Sequence, residues 1–70
     1  MSLQSAAGKL RHAGQELALR WAAARELWRD DNARRFESEI VENLLTRLRA
    51  VEAALTHMDA VLQKVRRDCE

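Results

Sequence analysis

An all-α fold, an antiparallel hairpin of two long helices, follows from three features of this sequence. Ala, Glu, Lys, Leu and Arg supply 41 of its 70 residues, and Pro and Tyr are absent, which is a palette of strong helix formers. Apolar residues recur at alternating steps of three and four along most of the chain, the spacing of one helix face. That rhythm breaks once, at Arg29-Asp30-Asp31-Asn32. A β-sandwich, a dinucleotide-binding α/β unit and a disulfide scaffold are excluded by the same features, since strand-period runs are missing and Cys69 is the one cysteine.

The first helix is expected over residues 3–28. Leu3, Ala7, Leu10, Gly14, Leu17, Trp21, Ala24 and Trp28 form a seam of more than three heptads. Ser2 or Ser5 offers a hydroxyl as N-cap, without the Glu or Gln three residues later that completes a capping box. Gly14 costs about 1 kcal/mol relative to Ala inside a helix, and its place in the seam suggests close approach of a neighbouring helix.

The turn is expected over 29–32, with Asp30, Asp31 and Asn32 as its residues. Their short polar side chains compete for backbone hydrogen bonds, so they favour caps and turns. Asp and Asn also tolerate the left-handed conformation that ends many helices. The alternative is one unbroken helix of ~65 residues, about 100 Å long.

A second helix is expected over 33–68, its apolar face running through Phe36, Ile40, Leu44, Leu48, Val51, Leu55, Met58, Leu62 and Val65. Ile40, Leu44 and Leu48 are two steps of four in succession, a stutter in the heptad pattern. Val41, Leu45 and Val61 widen this face beyond a simple seam, as in a helix that touches more than one neighbour. At about 55 Å against about 39 Å, the second helix should overhang the first by about 16 Å, leaving Val61, Leu62 and Val65 without an intrachain partner. The whole chain reads as one domain.

Two antiparallel helices bury only the strip between them, which seldom supplies more than a few kcal/mol in a chain of this size. Two Trp, one Phe and a broad Leu/Val stripe left in water would form a large sticky patch. Pairing two hairpins into a four-helix bundle removes both problems. The expected partner is a second copy or a paralogous hairpin, with a larger protein as a further option. The predicted partner-binding residues are Leu10, Gly14, Leu17, Trp21 and Trp28 on the first helix. On the second they are Phe36, Ile40, Leu44, Leu48, Val51, Leu55, Leu62 and Val65.

Charge selects no other partner class. Twelve basic and eleven acidic residues leave a formal charge of +1, so no strong field draws in nucleic acid or anionic lipid. Residues 1–35 carry +3 and residues 36–70 carry −2, which favours antiparallel packing of the halves. No stripe of basic residues alternates with stacking aromatics, as nucleic-acid binding would require. Acids are mixed through every basic stretch, which argues against a membrane-surface helix.

Catalytic chemistry has no foothold. His12 with Glu16, and His57 with Asp59, each fall short of three convergent metal ligands. Gly-rich phosphate loops, nucleophile elbows and zinc-protease helices do not occur. Glu37 and Glu39 are two apart and do not share a helix face. A non-enzyme without cofactor, metal or small-molecule substrate is expected. The start of the sequence lacks a basic region followed by an unbroken apolar core, so a cytoplasmic protein without a cleavable signal peptide is expected, any secretion relying on recognition of the folded chain.

The stretch Glu26-Leu27-Trp28-Arg29-Asp30-Asp31-Asn32-Ala33-Arg34-Arg35-Phe36-Glu37 resembles the hairpin of the WXG-type, early-secretory-antigen-like small proteins exported by type VII secretion systems. In that family a Trp closes the first helix, a Gly follows two residues later, and an aromatic about eight residues after the Trp opens the packing of the second helix. Trp28 and Phe36 match the first and last of these, and Asp30 stands at the Gly position. The family's Tyr-containing export signal has no counterpart here. The resemblance implies a hairpin that dimerises into a four-helix bundle, with Trp28 and Phe36 near the turn, acting by helix–helix association beside a type VII-like secretion machine. The alternative is a cytosolic coiled-coil oligomerisation or adaptor subunit unrelated to secretion.

Overall fold

Helix formation begins at Ser2, whose hydroxyl oxygen accepts the Ser5 backbone N–H at 3.0 Å and so satisfies one of the free donors of the first turn. Helix α1 then runs Leu3–Leu27. It stops where Trp28 turns extended, at φ −129° and ψ 101°, while its N–H still donates to the Ala24 carbonyl at 3.0 Å. Arg25 Nη1 donates to the Trp28 carbonyl at 2.7 Å, supplying a partner for an oxygen the helix has released.

In this computed structural model, which describes residues 2–69, the chain reverses through Trp28, Arg29 and Asp30. Helix α2, Asp31–Phe36, starts at once because the Asp30 carboxylate accepts the Ala33 N–H at 2.9 Å. The turn is therefore shorter and earlier than the sequence suggests. Asp31 and Asn32 belong to the first turn of α2, where Asp31 pairs with Arg34 and its negative charge suits the helix N-terminus. The left-handed conformation that Asp and Asn tolerate is not used here: among the described residues no non-glycine has positive φ. Extended backbone at Trp28 and at Asp30, φ −79° and ψ −179°, reverses the chain unaided, and Asp fits the position without strain.

α2 passes without a break into one π-helical segment, Glu37–Val41, and then into α3, Glu42–Cys69. The π turn sits beside the stutter seen in the sequence. Four residues overshoot one α-helical turn by about 40°, so a run of fours drifts around the helix, and a wider turn takes up the drift. As a result Ala33, Glu37, Val41 and Leu45, each four apart, all stay on the side shielded from solvent.

α1 packs antiparallel along α3, and the hairpin measures 59 × 17 × 11 Å. The unbroken single helix is thereby excluded. Ala7, Ala33 and Val41 are buried, and among the described residues no large side chain is. Leu3, Leu10, Gly14, Leu17 and Trp21 on α1, with Leu45, Leu48 and Leu55 on α3, are half-buried between the helices. Arg11 Nε donates to Glu52 Oε1 at 2.7 Å and Gly14 faces Leu48, which together set the register. The base comes from the positive half of the chain and the acid from the negative half. Beyond Asp59, residues 60–69 are all exposed, an overhang of about 15 Å.

Candidate interaction surface

Three aromatic rings gather where the hairpin closes. Trp21 lies two turns before the end of its seam at Trp28, and the reversal at Trp28 to Asp30 brings Phe36 back against it. The Trp21 and Phe36 ring centroids are 5.4 Å apart, those of Trp28 and Phe36 5.9 Å, and the two indoles meet edge to face at 6.0 Å. These separations lie in the range where aromatic pairs attract beyond simple area burial.

The π segment places Glu37 at the base of this cluster. Trp21 Nε1 donates to Glu37 Oε2 at 2.5 Å, and Arg25 Nε lies 3.4 Å from the same oxygen. The indole N–H is thus satisfied in a partly enclosed site, where an unmet donor would be costly. Trp21 is held inward by this bond, while Trp28 and Phe36 remain 38% and 41% exposed.

The second component is the outer side of α3. Leu44, Val51, Met58, Val61, Leu62 and Val65 are each about half exposed, and Ile40 continues the row through the π segment. The row spans 25 residues, about 37 Å. The larger exposed apolar contribution comes from this face; α1 adds Leu19 and Leu27, the latter 92% exposed.

The predicted partner-binding residues therefore fall on two different faces. Leu10, Gly14, Leu17, Trp21, Leu48 and Leu55 lie between α1 and α3, within the chain. Trp28, Phe36, Ile40, Leu44, Val51, Leu62 and Val65 remain open to a neighbour. Sequence reasoning passed over Glu37 as a partner of Trp21, because an isolated acid in a charged stretch reads as solvated. It also left Met58 and Val61 out of the interface, although both keep the helical spacing of Val51 and Val65.

Between α1 and α3 a groove of about 330 Å³ opens beside Gly14, lined by Leu10, Ala18, Leu45 and Leu48 together with Arg11, Arg49 and Glu52. His12, His57 and Cys69 are all exposed, and no group of three His, Cys, Asp or Glu among the described residues is placed to hold a metal ion. No described helix is long and apolar enough to cross a membrane. No protein-family model, curated protein or solved structure matches this chain.

Proposed function

We propose that this chain is a non-enzymatic association module: a helical hairpin that pairs with a second copy, or with a sister hairpin, through the outer face of α3. The supporting observation is an imbalance of burial. Among the described residues, three small or medium ones are enclosed, while eleven large apolar residues stay exposed, eight of them between Phe36 and Val65 on the long second arm. Water-exposed apolar surface of this continuity is a mark of a protein interface.

The WXG-like reading, association beside a type VII-like secretion machine, is supported by the packing of Trp28 on Phe36 at the closed end of the hairpin. Asp30, capping α2 at the position where that family has glycine, favours the second reading, a cytosolic oligomerisation or adaptor subunit. Secretion assays separate the two: protein recovered in the culture medium only when a secretion ATPase is intact supports the first, and full retention in cells supports the second.

Association itself is tested by sedimentation equilibrium at micromolar concentration. A dimer is expected for the native chain, and a helical monomer for Val51→Lys, which puts a charge in the middle of the exposed row. A native chain that stays monomeric at tens of micromolar overturns the proposal.

A further inference from the structure

The outer face of α3 is a seam with an internal symmetry. From Ile40 the exposed positions Leu44, Arg47, Val51, Ala54, Met58, Val61 and Val65 follow at steps of four, three, four, three, four, three and four. A seam of alternating threes and fours is what two supercoiling helices interlock through. In a two-fold contact, residue i meets residue j and j meets i. When the seam is laid against its own reverse, every layer finds a counterpart: Ile40 meets Val65, Leu44 meets Val61, Arg47 meets Met58 and Val51 meets Ala54.

We infer that a second copy of this chain binds along α3 in antiparallel orientation, with the two-fold axis passing between Glu52 and Ala53. This inference rests on the association proposed above and specifies its geometry. Two observations select the antiparallel over the parallel pairing of the same seam.

The first is Arg47, the one charged residue in the seam. Parallel pairing sets Arg47 against Arg47 of the second copy, two like charges in an apolar strip. Antiparallel pairing sets it against Met58, whose flexible thioether packs against the arginine's aliphatic stem while the guanidinium reaches water.

The second is the distribution of charge at the two ends. Glu39 and Glu42 flank the seam near its start, and Lys64, Arg66 and Arg67 flank it near its end. Parallel pairing places acid on acid and base on base. Antiparallel pairing brings Glu39 to the level of Arg66 and Glu42 beside Lys64 and Gln63, with Asp68 a turn from Arg34 and Arg35. Exposed pairs of this kind contribute little to affinity individually, but their signs fix direction.

Cysteine cross-linking distinguishes the arrangements. In a Cys69→Ser background, which removes the exposed native thiol, Ile40→Cys and Val65→Cys chains are treated with a short bis-maleimide, each alone and mixed in equal amounts. A covalent dimer is expected from the mixture and only traces from either chain alone, because equivalent Val65 positions lie about 37 Å apart in the antiparallel pair. Leu44→Cys with Val61→Cys repeats the test one layer inward, should an end variant fold poorly. Ready cross-linking of Val65→Cys alone means parallel pairing and overturns the inference. So does a chain that sediments as a dimer yet cross-links in no combination, because another face then carries the contact. Sedimentation of the native chain as a monomer refutes the underlying association as well as its geometry.

Discussion

Glu37 shows how one side chain can join two helices. Its carboxylate receives the Trp21 indole N–H at 2.5 Å and lies 3.4 Å from Arg25, so it ties the end of α1 to the π segment. Replacement by Gln preserves an acceptor and should cost little. Glu37→Leu leaves the indole donor unmet and should cost about 1–2 kcal/mol in urea denaturation, read by tryptophan fluorescence. Gly14 behaves differently. A Cβ added there would come 3.9 Å from Leu48 Cδ1, an ordinary contact, so the close approach suggested by the sequence leaves room for a methyl group. Gly14→Ala should therefore stabilise the hairpin by up to about 1 kcal/mol through helix propensity alone. The sequence marked Gly14 as lying in the seam, but tolerance there depends on a distance that spacing does not contain. Glu37 was opaque for a related reason, since nothing in a charged stretch reveals which acid faces an indole sixteen residues earlier.

Among the elements, the break between α1 and α2 was legible because Asp30, Asp31 and Asn32 interrupt a long seam. Which of them caps was decided by backbone geometry. Asp30→Ala should cost about 1 kcal/mol of stability, and Asp30→Asn much less, in thermal melts followed by circular dichroism. The stutter at Ile40, Leu44 and Leu48 was equally visible, though its realisation as a π turn at Glu37–Val41 required the structure. Deleting the exposed Ser38 should convert that segment to ordinary α-helix. The residues before it should keep their orientation toward α3, because the deletion leaves Ala33, Glu37, Val41 and Leu45 at steps of four, three and four on one face of an ordinary helix, with Phe36 still against Trp21. Helix content and the wavelength of tryptophan emission should both be retained, and a shift of the emission to longer wavelength would show that the wide turn does not absorb a residue. The widest gap in the sequence reading lay in α3. Its apolar row mixes two faces, because Leu48 and Leu55 turn toward α1 while Leu44, Val51 and Met58 turn away. Periodicity identifies such residues as apolar, but only their burial in the folded hairpin shows which side each one takes.

At the scale of the whole molecule, a hairpin 59 Å long and 11 Å at its thinnest has too little interior to bury a large side chain. Its stability should then depend on concentration, since a partner that binds only the folded form stabilises it by mass action. The melting temperature of the native chain is expected to rise with protein concentration, and that of Val51→Lys to stay constant. The overhang of residues 60–69 gives this dependence a physical handle. Those residues are all exposed in the single hairpin, yet they carry Val61, Leu62 and Val65. Trimming them stepwise should shorten the lifetime of the pair while the hairpin's own register stays put, so a protease that nibbled this tail would act as a volume knob on assembly rather than as an agent of unfolding.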